Sequence, residues 1–596
     1  MVAPLYTTDS GLLFHAGKIL VVTIGLPARG KTHISRALER YLRWMGLKTQ
    51  VVSLGDYRRK TLGGAQQLPP DYFTLGNKSK ETMELRARVS KECEQTIWDY
   101  FNKGGQVVIY DANNGTKAAR TALAERFDAK GVHVIYLESI SDNKDIIEAN
   151  IRGVKISSPD YRNWDPDLAV KDYYTRIRDH EKYYETVTET DWPFIKIINV
   201  GEKIMVNNIQ GYVQSRIVFF LMNIHNRYRT IYFARSGQSL IEHSYKADSD
   251  LSPAGWEYAE KLKDFVLERR AKNLEARGLD PTDRRLVIWT STRRRAHHTA
   301  HPFLDMHRSP STSQQHPAPA RSLAYSMSAP TFISPDGLPS LHPESDTPLI
   351  VGTGKAGGTA KGVTTAGPGQ LQVPASADSS PPPRDDVSPS PSMQSTTNKR
   401  VPPKVKVVEK PQMAEINPGI WDGLTPDQAR KYYAEDWERF VNDPYSFRAP
   451  RAESYHDLSI RLEPILIELE REQEDLLIIG HASVIRCLLA YLIGLPASEI
   501  PAIEIARGDL LEVVPASYGV HSQAFHFWDG PGRRGEETPH TLGNGGHARD
   551  ENNFYENYAE DTRGKRKFSE AEGMERPEGL VAKPDSGLLE KPDEEA

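Results

Sequence analysis

The octet GLPARGKT, Gly25 to Thr32, follows the apolar, β-branched run KILVVTI and precedes a segment with helical spacing. A G-x4-G-K-T string at a strand-to-helix turn constrains the fold strongly, because the backbone there must curl around an anion. Gly25 and Gly30 let the segment Leu26, Pro27, Ala28 and Arg29 wrap a phosphate. Lys31 reaches the β- and γ-phosphates, and the Thr32 hydroxyl is placed to ligate Mg2+. The octet is therefore a candidate ATP-binding loop, and it requires a βαβ frame around it.

That frame is legible. KILVVTIGL, TQVVSLG, GQVVIYDA, VHVIYLES and FIKIINV are short apolar runs of the kind found in parallel strands covered on both faces, separated by helical patterns. The order predicts an α/β fold, a P-loop domain on a doubly wound sheet over residues 18–226, after an N-terminal segment 1–17. VNNIQGYVQSRIVFFLMNIH reads as an amphipathic bridging helix. A second α/β unit opens with RTIYFAR and continues in RLVIWTS, DLLIIGH and DLLEVVPAS, so it spans 227–305 and 411–528. Residues 306–410 are rich in Ser, Pro, Gly and Thr and poor in aromatics, and read as a long disordered insertion. Residues 529–596 read as a disordered tail.

With 596 residues the chain has room for two or three domains. A formal net charge of −5 with interspersed signs provides no basic footprint for nucleic acid or an acidic membrane. No apolar run approaches the ~20 residues needed to span a bilayer. Cys93 and Cys487 lie in different units within helical patterns and read as buried small hydrophobes. A reducing, cytoplasmic setting is expected.

A phosphate loop of this kind needs a metal-associated carboxylate at the end of a neighbouring strand. Asp111, the first charge after GQVVIY, fits, although a strand-terminating aspartate also serves as a cap. Lys155, in NIRGVKISSPDY, is a candidate second cation on the transferring phosphoryl group or a solvated lysine. Arg58, Arg59, Arg86, Arg120 and Arg176 are candidate phosphate forks or surface charges.

With these residues in view the chain resembles the bifunctional 6-phosphofructo-2-kinase/fructose-2,6-bisphosphatase family. The resemblance runs from about Lys18 to Pro515 outside the insertion and rests on GLPARGKT, YRR, VKISSPDY, QSRIVFFLMNIH, RAESYHDLSIRLEPILIELE and IRCLLAYL. It implies an N-terminal kinase making fructose 2,6-bisphosphate from ATP and fructose 6-phosphate, and a C-terminal phosphoglycerate-mutase-like domain. It implies Lys31, Asp111 and Lys155 as catalytic, Thr32 and Asp111 at Mg2+, and Asn150 with Lys155 at ATP. Arg58, Arg86 and Arg176 would hold the sugar phosphate, and the protein would be a homodimer. Asn113 stands where the family has threonine, and His180 where it has a sugar-contacting tyrosine. Ala119 replaces the first of two arginines, so Arg120 is expected to reach the sugar in its place. Ser141 replaces a cysteine.

The second unit departs further. The mutase-type site uses R-H-G, in which the histidine accepts the phosphoryl group; here the residues are Arg235, Ser236 and Gly237. Arg295, the candidate acid Glu415, and His481 remain. Phe440 and Pro444 occupy positions of a family arginine and lysine, and Ala482 that of a glutamine. A serine hydroxyl lacks the low-pKa lone pair of an imidazole and needs an adjacent base. The expectation is therefore a 6-phosphofructo-2-kinase whose bisphosphatase site is degenerate. The alternatives are a bifunctional enzyme, which an intact R-H-G would mark, and a non-catalytic sugar-phosphate-binding regulator. Ser/Pro sites in the disordered segments are candidate targets of regulatory kinases.

Overall fold

The computed structural model describes residues 17–74, 76, 78–144, 147–148, 150–151, 160, 165–225, 227–241, 244–305, 404–516 and 519–530. The five runs expected as strands of the first unit form β1 (Lys18–Ile24), β2 (Thr49–Ser53), β3 (Val107–Asp111), β4 (Val132–Ile140) and β5 (Phe194–Ile198). A further edge strand, β6 (Lys203–Asn207), completes the order β2-β3-β1-β4-β5-β6, all parallel except β6. Side-chain alternation along β1 explains the double winding. Ile19 and Val21 pack with α1 (Lys31–Trp44), while Leu20, Val22 and Ile24 pack on the other face with α3 (Lys80–Asn102) and α4 (Lys117–Asp128). Between β2 and α3 lies α2 (Leu54–Leu62); α5 (Pro166–Glu181) and α6 (Tyr212–Leu221) follow β4 and β6.

The second sheet has the order β12-β11-β7-β10-β8-β9. It comprises β7 (Ile231–Arg235), β8 (Leu286–Thr290), β9 (Val405–Glu409), β10 (Asp475–Gly480), β11 (Asp509–Ala516) and β12 (Gly519–His526). β7, β10, β8 and β9 run parallel, and β11 and β12 are antiparallel additions at the other edge. One face is covered by α7 (Pro253–Glu275), which starts at an N-cap where Ser252 accepts from the Gly255 amide at 3.1 Å. The other is covered by α12 (Ala482–Ile493) together with α10 (Tyr455–Arg461) and α11 (Glu463–Arg471). Two shorter helices, α8 (Arg294–Thr299) and α9 (Ala434–Asn442), lie in the connections.

Three boundaries differ from expectation. The helix read from Val206 begins only at Tyr212, because Asn208 (φ 50°) and Gly211 (φ 79°) turn the chain after β6. The insertion read as 306–410 ends earlier: Val405–Glu409 alternate and pair with β8, Leu286 opposite Val405. β12 had no counterpart in the reading, since GVHSQAFH is too polar to stand out as a strand. Of the other expectations, segments 1–16, 306–403 and 531–596 lie outside the described residues. Both cysteines are free and buried, with thiols pushed up to about 12 by desolvation. Among the described residues no helix is long and apolar enough to cross a membrane.

The sheets meet where α1 lies against α11 and α12. Arg40 pairs with Glu470 at 3.1 Å, and Glu470 also accepts from the Tyr491 hydroxyl at 2.7 Å. Next to this pair His33 contacts the His225 carbonyl at 3.1 Å. Desolvation first, then neighbouring arginines, hold His33 near 4 and His225 near 3. The unfolded chain therefore takes up these protons first as pH falls below 6.5, and stability is lost from there towards pH 4. The slope for each histidine is up to about 1.4 kcal/mol per pH unit. Urea midpoints at pH 7 and pH 5 should show the loss, and His33→Gln should lessen it; a flat profile would contradict the assignment.

Candidate active sites

The phosphate loop leaves β1 through Gly25 (φ 145°), where a Cβ would stand 2.6 Å from the Ser139 carbonyl oxygen, so only glycine fits. It enters α1 through Gly30 (φ 77°), an N-cap with no side-chain cap bond, which leaves the first helical amides for an anion. Ala28 also sits at positive φ (61°). Two side chains hold the loop: Asn150 Nδ2 donates to the Ala28 carbonyl at 2.9 Å, and Ser139 Oγ to the Arg29 carbonyl at 2.6 Å. The Gly25 amide donates to the Asn113 carbonyl at 3.1 Å.

Lys31 donates to the Leu26 carbonyl at 2.6 Å, and its burial lowers its pKa to about 8 against the pull of Asp111. Thr32 Oγ1 donates to Asp111 Oδ2 at 2.9 Å. Burial raises the Asp111 carboxyl, and Lys31 and Thr32 only partly offset it. A buried carboxylate short of positive charge beside a hydroxyl is a hard-oxygen pair that suits Mg2+, directly or through water. Lys155 lies outside the described residues.

The sugar-side candidates form a chain of neighbours. His180 is held in its neutral form by desolvation, with Lys31 and Arg86 adding to the effect, and its Nδ1 contacts the Arg176 carbonyl at 2.8 Å. Arg86 donates to the Tyr72 carbonyl at 2.8 Å. The Phe73 ring carries Arg176 at 3.7 Å on one side and Arg58 at 5.3 Å. Arg58 is itself occupied, forked on Asp160 at 2.7 and 2.6 Å, with Arg59 joining at 3.0 Å.

Arg120 corrects the expectation that it stands in for the residue lost at Ala119. Its side chain is fully buried, forked on Glu189 at 2.5 and 2.9 Å, and bonded to the Glu185 and Thr186 carbonyls. The reason is helical phase. Arg120 shares the inward face of α4 with Leu123, Ala124 and Phe127, whereas Ala119 is exposed. That i, i+3, i+4, i+7 spacing was the signal the reading passed over. Ser139, Phe73 and Asp160 were also missed.

In the second unit Ser236 follows β7, and its amide donates to the Gly480 carbonyl at 2.9 Å, placing it beside the end of β10. A Cβ on Gly237 would approach the Gly255 carbonyl oxygen to 2.8 Å, so the glycine is required by packing against α7. Arg235, Arg295 and Glu415 lie near His481 here. Arg295 bonds to Glu415, and its Nη2 lies 3.1 Å from His481 Nδ1. Because guanidinium only donates, Nδ1 accepts and the imidazole proton sits on Nε2, which contacts Ser291 Oγ at 2.9 Å. Burial holds this histidine neutral, near 3. Among the described residues no imidazole bonds to the Ser236 hydroxyl, and both nitrogens of His481 are engaged elsewhere. Ser291 and Arg507, which donates to the Ser236 carbonyl at 3.3 Å, were not anticipated. Phe440 is buried among Trp421, Trp437 and Phe447.

Residues 6–228 match the family model described as 6-phosphofructo-2-kinase, and residues 385–526 match the histidine phosphatase superfamily, branch 1. Among curated relatives, a Saccharomyces cerevisiae protein provisionally named 6-phosphofructo-2-kinase/fructose-2,6-bisphosphatase is 32% identical, over 85% of this chain and 83% of its own. The Caenorhabditis elegans 6-phosphofructo-2-kinase/fructose-2,6-bisphosphatase is 30% identical, over 85% and 88%. A second Saccharomyces cerevisiae relative, named fructose-2,6-bisphosphatase, is 28% identical, over 84% and 87%.

Proposed function

Since this chain belongs to the 6-phosphofructo-2-kinase/fructose-2,6-bisphosphatase family, we propose that it keeps the kinase reaction and has lost the bisphosphatase reaction. The observation that carries the first half is the Thr32–Asp111 bond beside Lys31, at the ends of two neighbouring parallel strands. The second half rests on Ser236, whose hydroxyl bonds to no imidazole among the described residues. A second reading, a bifunctional enzyme, is favoured by the convergence of Arg235, Arg295, Glu415 and His481 around that serine.

In the proposed reaction the 2-hydroxyl oxygen of fructose 6-phosphate bonds to the γ-phosphorus of ATP as the bond to the β,γ-bridging oxygen breaks, ADP leaving and the hydroxyl proton passing to solvent. Lys31 keeps its proton on Nζ and offsets charge gathering on the β- and γ-phosphates, with Lys155 as a second cation. Thr32 and Asp111 would hold Mg2+, which would supply charge neutralisation of the same oxygens. Asn150 and Ser139 hold the loop in its phosphate-facing form, and Arg58, Arg86, Arg176, Asn113 and His180 position the sugar. The reading assigns 18–226 to the kinase and 227–305 with 405–528 to the phosphatase-like unit. It includes a cytoplasmic homodimer and regulatory phosphorylation outside the described residues.

Purified protein given MgATP and fructose 6-phosphate should accumulate fructose 2,6-bisphosphate, measured beside a breakdown assay; absence of synthesis would overturn the reading. A pH dependence follows from Lys31. Polyphosphate favours the ammonium form, so nucleotide binding should take up a proton above pH 8, and affinity should fall as pH rises through 8. Calorimetry at pH 8.5 in buffers of different ionisation heat measures this uptake, and a value of zero would exclude Lys31 as the group.

A further inference from the structure

We propose that Asp160 is an internal surrogate for the substrate's phosphate and sets the affinity of the sugar pocket; the inference rests on the kinase reading above. Arg58 meets Asp160 fork to fork, Nη1 to Oδ1 at 2.7 Å and Nη2 to Oδ2 at 2.6 Å, and Arg59 adds a third bond at 3.0 Å. This planar, two-point arrangement is the one a guanidinium offers to a phosphate monoester. Both side chains of the central pair are nearly desolvated, at 6% and 8% exposure.

The surroundings place this fork in the sugar pocket rather than in a structural corner. Phe73 lies against both Arg58 and Arg176, Tyr72 feels the charges of Arg58 and Arg86, and Arg86 and Lys31 act together on His180. Without an anion, guanidiniums this close would repel. Arg176 is offset by Asp172 at 2.8 Å, Arg58 by Asp160, and Arg59 by Asp160 together with Asp56. A carboxylate carries one charge and two oxygens, whereas a phosphate monoester carries up to two charges and three terminal oxygens, so the incoming group outcompetes the resident one. The fork binds one of them at a time. If it is open about one-tenth of the time, the apparent affinity for the sugar phosphate is lowered about tenfold.

The test is Asp160→Asn, which keeps the shape and removes the charge. The KM for fructose 6-phosphate should fall by roughly tenfold, with kcat and the KM for ATP unchanged. Independently of catalysis, inorganic phosphate should raise the Tm of the variant more than that of the wild type. If the variant is insoluble alone, purification in phosphate should rescue it. A raised or unchanged KM, or no added response to phosphate and no rescue, would make Asp160 a scaffold and overturn the proposal. Absence of synthesis by both proteins with the phosphate response intact would strike at the kinase reading alone.

Discussion

Incubated with fructose 2,6-bisphosphate labelled at the 2-phosphate, the unmodified protein is expected to release no phosphate above background and to carry no acid-labile label. Loss of a covalent nucleophile costs on the order of a million-fold in turnover, about 8 kcal/mol of barrier. His481 does not replace it: its Nδ1 lone pair faces Arg295 and its Nε2 proton faces Ser291. Ser236→His alone should restore little, because Phe440, at the position the family resemblance assigns to an arginine, is locked among three aromatic side chains. Freeing that position would unpack a small core, so the sugar bisphosphate stays poorly positioned. Weak phosphate binding by Arg235 and Arg295 is compatible with this outcome. Rapid release by the wild type would overturn it and favour the bifunctional reading.

Lys31→Ala and Asp111→Ala are each expected to lower synthesis by roughly a thousandfold or more, since each removes charge compensation from the transferring phosphoryl group. Stability should respond differently. Burial disfavours the charged form of both side chains and each offsets the other, so removing Lys31 leaves the Asp111 carboxylate buried without its main attractive partner and should lower Tm at pH 7. Removing Asp111 leaves a buried ammonium without its main attractive partner and should lower Tm slightly at pH 7, with recovery before pH 8, because without Asp111 burial strips the Lys31 proton at lower pH than in the wild type. Thermal melts at pH 7 and 9 beside the synthesis assay separate the two effects. A folded variant of either kind with near-wild-type turnover would remove the kinase chemistry from this pocket.

The parts of these sites that were legible beforehand are contiguous in the chain. GLPARGKT needs its glycines for backbone reasons confined to a few residues, and Asp111 and Ser236 are each reached by reading along one apolar strand to its end. The strands of the parallel cores were legible for the same reason, since burial on both faces leaves an unbroken apolar run. β6, β9 and β12 are edge or antiparallel strands with polar alternation, and their pairing depends on a neighbour far away in sequence.

Whether a charged side chain faces ligand or protein was decided only in three dimensions. Arg120 and Arg58 look alike as arginines after strands or on helices, yet one is turned by helical phase onto Glu189 and the other meets Asp160, 102 residues away. His481 and Ser291 are separated by 190 residues. Ion pairs and tautomers of this kind are set by distance and desolvation, and neither quantity exists until the chain is packed. Local order therefore determined the phosphate loop, the serine after β7 and the parallel core strands of the two sheets. Packing determined which arginines stand together around Phe73 and which carboxylates pair with them.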